Sequence, residues 1–259
     1  MPISIEGKRI IITGGARGIG AATAEVFARE GASVVTLDVL DDSGQEVAER
    51  ATQAGPGTVR YLHADVSNQD EVVAAVNSAV SDLGGLDAAF CIAGIEHRSA
   101  AEDIPAYDWD ATLAVNVKGV AFCNQAVFPH MKDHGGSIVN FGSGSGLVMS
   151  PTSAHYGASK GAVMAYTRQA AYEWGKYGIR VNSVAPAIWT PMYEEFRLRL
   201  SEEELAAHDA YMKQTMPLGG RLGDPVTDLA PVLVFLASDA SKFITDQIIV
   251  VDGGVVPVR

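Results

Sequence analysis

Short runs of aliphatic and β-branched residues recur along the chain, each followed by a longer stretch whose apolar positions return every three or four residues. The short runs predict strands at Arg9–Thr13, Ser33–Asp38, Thr58–Leu62, Leu86–Ile92, Ser137–Phe141, Arg180–Val184 and Gln247–Val251. The longer stretches predict helices at Gly18–Arg29, Ser43–Ala54, Gln69–Asp82, Tyr107–Lys132, Ala154–Lys176 and Pro225–Ser238. Strands that are apolar almost throughout belong to a parallel sheet covered on both faces. Their alternation with helices implies right-handed crossovers. The expected fold class is α/β: a doubly wound parallel sheet of about seven strands flanked by helices. No linker or repeat divides the chain, so residues 1–259 are expected to form one domain. The irregular part, Pro186–Arg221, predicts a helix within Tyr193–Gln214, with Ser201 capping a second half that opens Glu202, Glu203, Glu204. So long a segment between two strands reads as a substrate loop or lid, residues 187–221.

Composition narrows the classes. With 47% hydrophobic residues in a chain of 259, disorder is excluded and a large core is expected. The apolar stretches are strand-length, which argues against a membrane span, and Lys8 and Arg9 precede too short an apolar run for a signal peptide. A net charge of −12 repels nucleic acid. Two cysteines, Cys91 and Cys123, make neither a disulfide framework nor a zinc set, which places the chain in a reducing, cytoplasmic setting. His130 and His134 have helical spacing but read as a solvated helix end, so no metal is expected. Gly142-Ser143-Gly144-Ser145-Gly146 lacks the Gly-x-Ser-x-Gly register around either serine, which sets aside a serine hydrolase.

The first strand runs into Thr13-Gly14-Gly15-Ala16-Arg17-Gly18-Ile19-Gly20 and then a helix. Glycine at 14 permits a tight turn, at 18 a close approach of backbone to ligand, and at 20 close packing of helix on strand. This is the Rossmann-type arrangement that puts a pyrophosphate on a helix N-terminus. Asp38 ends the second strand 18 residues beyond Gly20, where a carboxylate accepts from the adenosine ribose hydroxyls. A 2′-phosphate there would meet a like charge at a cost of about 4 kcal/mol at ~4 Å and a dielectric of ~20, so NAD is expected over NADP. Arg17 offsets part of that cost. Asp65, ending the third strand, reads either as an acceptor for the adenine amino group or as part of a helix-capping turn at Ser67.

Tyr156-Gly157-Ala158-Ser159-Lys160 places a phenol and an ammonium one helical turn apart. An ammonium at ~4 Å lowers a phenol by about three pKa units at a dielectric of ~20, into the range of proton exchange with an alcohol. Ser143 stands 13 residues upstream, after the fifth strand, and Asn116 lies inside the preceding long helix. The glycine loop, serine, tyrosine and lysine in this order and spacing resemble the short-chain dehydrogenase/reductase family in its shorter single-domain form. Cys91-Ile92-Ala93-Gly94, Pro186-Ala187-Ile188-Trp189-Thr190 and Val251-Asp252-Gly253-Gly254 extend the resemblance over essentially the whole chain.

The resemblance implies that Tyr156 is the general acid/base, Lys160 its pKa-lowering partner, and Ser143 the group orienting the substrate oxygen. Asn116 would kink its helix and hold a water linking Lys160 to solvent. Gly14, Arg17, Gly18, Ile19 and Gly20 would line the pyrophosphate, Asp38 the ribose, and Asp65 and Val66 the adenine. Ala93 and Gly94 would pack near the cofactor, with Pro186, Ile188 and Thr190 at the carboxamide. It also implies a homotetramer joined through the helices at Tyr107–Lys132 and Ala154–Lys176. Three departures stand out. Cys91-Ile92 replaces the usual Asn-Asn, so a strand-stabilising side-chain hydrogen bond is lost or replaced. Ala187 follows Pro186 where glycine is usual, and Asp246 replaces a loop glycine. The implied activity is NAD(H)-dependent interconversion of a secondary alcohol and a ketone. Expected substrate-lining residues are Glu96, Leu147, His155, Trp189 and Met192. The 186–221 segment, with Trp189, Met192, Tyr193, Phe196, Tyr211, Met212 and Met216, favours an apolar cyclic or aromatic compound, while Glu96, His97 and Arg98 add polar options. A polyol or sugar dehydrogenase, a 3-oxoacyl-type reductase, and a dinucleotide-binding regulatory protein without turnover are the alternatives.

Overall fold

A computed structural model describes residues 3–256. The seven apolar runs become β1 (Arg9–Thr13), β2 (Ser33–Asp38), β3 (Thr58–His63), β4 (Ala88–Cys91), β5 (Gly136–Phe141), β6 (Ile179–Pro186) and β7 (Ile248–Val251). They form one sheet in the order β3-β2-β1-β4-β5-β6-β7, every neighbouring pair parallel. Alternate side chains of each strand feed opposite cores. Ile10 and Ile12 join Phe27, Phe90 and Leu233 on one face, while Ile11 joins Val35, Val76 and Val163 on the other. Both faces are therefore dry, which is why the strands lack a polar alternation. Helices α1 (Gly18–Arg29) and α2 (Asp41–Ala54) lie on the first face. Helices α3 (Gln69–Leu83), α5 (Gly119–Met131) and α6 (Ala154–Trp174) lie on the second. Strand order reverses between β1 and β4, and it is outside the carboxyl ends of the strands at such a switch point that doubly wound sheets bind their ligands.

Three expectations need correction. The helix predicted over Tyr107–Lys132 is broken into α4 (Ala106–Leu113), a π-helical turn (Ala114–Lys118) and α5. The widened turn carries Asn116, whose amide is held by the backbone of Ile95 rather than facing outward. The predicted lid helix is two, α7 (Pro191–Arg197) and α8 (Glu202–Thr215), and Ser201 caps the second with a reciprocal Ser201–Glu204 box. The final helical stretch likewise divides into a π-helical turn (Pro225–Leu229) and α9 (Ala230–Ala237).

The departures also resolve. Cys91 does not leave its neighbours unpaired: Asn124 Nδ2 donates to Cys91 Sγ at 3.2 Å and to Asn140 Oδ1 at 2.8 Å, so a buried amide serves where a strand side chain usually does. Asp246 sits at φ 62°, a left-handed conformation that costs a side-chain residue about 1–2 kcal/mol. Asp246→Gly should therefore raise stability by about 0.5–1 kcal/mol after the extra chain entropy of glycine, and the melting midpoint by ~1–4 °C. A midpoint that falls in thermal unfolding would contradict the assignment of strain.

Candidate active site

At the switch point the chain leaves β1 through Gly14, at φ 74°, whose N–H donates to the Leu37 carbonyl at 2.8 Å. A Cβ at Gly14 would lie 2.7 Å from the backbone of Ala93, and one at Gly20 would lie 2.0 Å from the Gly14 carbonyl oxygen. Only glycine fits either place. Arg17 is extended and no side chain caps the first turn of α1, so the helix N-terminus presents open N–H groups and the positive end of its dipole. Gly18, at φ 57°, begins that helix, with Ile19 beside it. The cradle fits the pyrophosphate of a dinucleotide.

Asp38 closes the rim. Its Oδ2 accepts from Ala16 N at 3.0 Å, and its Oδ1 from Val39 N and Leu40 N at 2.8 and 3.2 Å. These bonds fix the carboxylate and hold it half-buried at the end of β2. Arg17 is directed elsewhere: its Nη1 stands 3.7 Å from Glu195 Oε1 on α7, joining the glycine loop to the segment after β6. Asp65 accepts from Ser67 N at 2.8 Å, and Val66 is buried where Gly119 admits it. The cap of α3 is Asn68, not Ser67. Thr190 is similarly occupied, its Oγ1 accepting from Tyr193 N to cap α7, while Ile188 is buried and bridges to Gly223. Pro186 ends β6 beside them.

The proton-transfer candidates converge on the same crevice. Lys160 Nζ is buried and donates to the Phe141 carbonyl at 2.8 Å, with the Tyr156 ring centroid 5.6 Å away. Ser143 follows β5, accepts from Ser145 N at 3.2 Å, and stands beside Tyr156 so as to favour its ionised form. Asn116 ties the arrangement together. Its Oδ1 accepts from Ile95 N at 2.8 Å, and its Nδ2 donates to Ile95 O at 2.9 Å and to Ser159 Oγ at 3.1 Å. A Cβ on Gly94 would sit 3.3 Å from both Asn116 Oδ1 and Lys160 Nζ, so the chain after β4 passes directly over the lysine.

Spacing alone misjudges the electrostatics here. Burial pushes the Tyr156 phenol up to about 12, with the Glu96 carboxylate adding to it and Ser143 and Arg98 opposing. Burial also pushes Lys160 down to about 8, only partly offset by Glu96. At the phenol the loss of water outweighs the groups that favour its ionised form. Alone, the chain therefore holds Tyr156 protonated at neutral pH, contrary to the expected depression.

The substrate-lining residues divide. His155 is fully buried, its ring 5.9 Å from that of Trp109 and both nitrogens unpartnered, so it backs the site rather than lining it. Leu147 and Trp189 are partly exposed, and Met192 is half-buried. Trp189 packs edge-on to Tyr193, whose hydroxyl lies 2.7 Å from His208 Nε2, making an aromatic lid with Phe196. Glu96 Oε1 accepts from Ser153 Oγ at 2.8 Å. Sequence reasoning misses Ser153, because its partner is 57 residues away and nothing local marks the pair. The two histidines set aside as ligands have ordinary partners, His130 with Asn77 and His134 with Gly135, and no cluster of metal-binding side chains occurs among the described residues.

The profile of the family described as "Enoyl-(Acyl carrier protein) reductase" matches residues 14–256, spanning the glycine cradle, α6, α7 and α8. The chain is a short-chain dehydrogenase/reductase. Among relatives of this short-chain dehydrogenase/reductase, a 3-oxoacyl-[acyl-carrier-protein] reductase FabG of Thermotoga maritima is 38% identical over 97% of this chain and 99% of its own. The trans-4-hydroxycyclohexanecarboxylate dehydrogenase of Sinomonas cyclohexanicum is 36% identical over 95% of this chain and 92% of its own. The crystal structure of levodione reductase superposes with a TM-score of 0.91 at 31% identity, covering 98% of this chain and 99% of that one. The family is one of oxidoreductases that use nicotinamide dinucleotides. No helix among the described residues is long and apolar enough to cross a membrane.

Proposed function

We propose that this short-chain dehydrogenase/reductase is an NAD(H)-dependent enzyme that interconverts a cyclic secondary alcohol and its ketone. The convergence of Asn116, Ser143, Tyr156 and Lys160 beside the glycine cradle carries this reading. The dinucleotide, when bound, supplies or accepts the hydride. Gly14, Gly18, Gly20 and the open start of α1 hold its pyrophosphate, and Asp38 its ribose. Ser143 orients the substrate oxygen, and the Tyr156 hydroxyl gives that oxygen its proton in reduction or takes it in oxidation. Lys160 holds positive charge beneath the phenol and is recharged through the polar path at Asn116.

A ring-bearing substrate fits the aromatic lid of Trp189, Tyr193 and Phe196, and two of the relatives above carry names of ring compounds. The 38% identity to a 3-oxoacyl reductase supports a second reading, an acyl chain on an acidic carrier. Against it, Arg197, one of the few basic groups on the lid, is already paired with Asp209. A cytoplasmic homotetramer, joined through α5 and the exposed side of α6 that carries Tyr172, belongs to the same proposal. Purified chain with NAD⁺ and a series of cyclic alcohols should produce NADH faster than a 3-oxoacyl thioester consumes it in the reverse assay. Faster thioester reduction would favour the carrier reading, and silence with every compound despite dinucleotide binding would leave a binding protein.

A further inference from the structure

We propose that Glu96 and Arg98 form a hydroxyl-binding subsite, so that the ring substrate carries a second hydroxyl and is a cyclic diol or a sugar. The inference rests on the oxidoreductase reading and deepens it.

The loop after β4 is fastened at three points to α6 and the two residues before it. Asn116 holds both backbone groups of Ile95 and also bonds Ser159. Ser99 N donates to Thr152 O at 2.9 Å, and Ser153 Oγ donates to Glu96 Oε1 at 2.8 Å, three residues before Tyr156. Glu96 cannot swing away. Arg98 Nε stands 3.4 Å from the same Oε1, and its guanidinium lies 4.4 Å over the Phe196 ring of the lid.

Both groups nevertheless retain unused valence. Among the described residues, Glu96 Oε2 accepts from no donor and the Arg98 terminal nitrogens donate to no acceptor. The Glu96 side chain is only 16% exposed, so a substrate that closes over it cuts Oε2 off from solvent. A hydrocarbon ring would leave a carboxylate oxygen without a partner, an unfavourable outcome. A hydroxyl answers both needs at once, donating to Oε2 and accepting from the guanidinium. Phe196 alongside offers an apolar face to the ring that bears it. The same carboxylate is felt at both Tyr156 and Lys160, consistent with a position next to the reacting atoms.

The test compares trans-cyclohexane-1,2-diol with cyclohexanol, using the full-length chain and NAD⁺. The parent chain should prefer the diol in kcat/KM. Glu96→Ala should reduce the diol-to-mono-ol ratio by about 10- to 100-fold, the range of one charge-assisted hydrogen bond, and Glu96→Gln by less. Retained NADH binding shows that each variant is folded. A parent chain with no preference, or a ratio unmoved by Glu96→Ala, overturns the subsite. Thermal shift with NADH and each alcohol supplies a reading that does not depend on turnover. If no alcohol is oxidised but the diol alone stabilises the parent chain and not Glu96→Ala, the catalytic reading fails and the subsite stands.

Discussion

Tyr156→Phe is expected to lower turnover by about 10²–10⁴-fold while leaving dinucleotide affinity unchanged, the range associated with loss of one general acid/base. The substitution removes a single oxygen. The ring that packs against the lysine remains, and Lys160 keeps its bond to the Phe141 carbonyl, so the cradle on the far side of the crevice is not disturbed. What disappears is the phenol that adjoins Ser143. Because burial holds that phenol up at about 12, the chain supplies a proton for ketone reduction throughout the neutral range. Oxidation needs the opposite state, so its rate should climb with rising pH. The reduction rate should stay level until the pH approaches about 8, where Lys160 loses the charge it holds beneath the phenol, and fall above it. In Tyr156→Phe both the residual rate and its pH dependence should flatten. NADH binding by fluorescence, set against single-turnover rates from pH 6 to pH 10, separates the two effects. A variant retaining a tenth of the parent's turnover would remove Tyr156 from proton transfer.

The sheet and the cradle are legible in sequence because their causes are local. Ile10, Ile11 and Ile12 must lie in a strand buried on both faces, Gly14 and Gly18 take left-handed backbone angles that glycine favours, and Gly20 packs on the Gly14 carbonyl six residues earlier. Asn116 shows the other case. The apolar pattern runs unbroken through its position, so the sequence reads as one helix. The π-helical turn accompanies a clamp on Ile95, 21 residues earlier in the chain. The electrostatics of Tyr156 fail for a related reason. A spacing of four residues specifies which charge is near, but the water excluded by the surrounding fold decides the sign of the shift. His155 follows suit, since a residue adjacent to Tyr156 points one-quarter of a turn away and is covered by α4 through Trp109. The Glu96–Ser153 contact is also long-range, which is why the specificity surface was the least readable part of the chain.

Asp38→Asn should erase most of the preference for NADH over NADPH, changing the ratio of dissociation constants by about 10²–10³. One like-charge pair at ~4 Å and a dielectric of ~20 is worth about 4 kcal/mol, close to a thousandfold, and solvent at the half-buried rim takes part of it back. Asparagine keeps the shape and loses the charge. It also loses one acceptor: the carboxylate serves Ala16 N with Oδ2 and the Val39 and Leu40 N–H groups with Oδ1, whereas an amide has a single oxygen for both duties. A stability loss of about 1 kcal/mol is therefore expected alongside the change in preference. The two readouts separate cause from consequence. Were Asp38 only a turn-former, the melting midpoint would fall while the NADH-to-NADPH ratio held. Arg17 sharpens the contrast, because its guanidinium is engaged with Glu195 on the lid at 3.7 Å rather than committed to the rim. With the carboxylate gone, that guanidinium is expected to turn to a 2′-phosphate, so NADPH affinity should rise more than NADH affinity falls. Titration of both nucleotides by fluorescence, at low and at high salt, measures this directly: the gain for NADPH should shrink as salt screens the arginine.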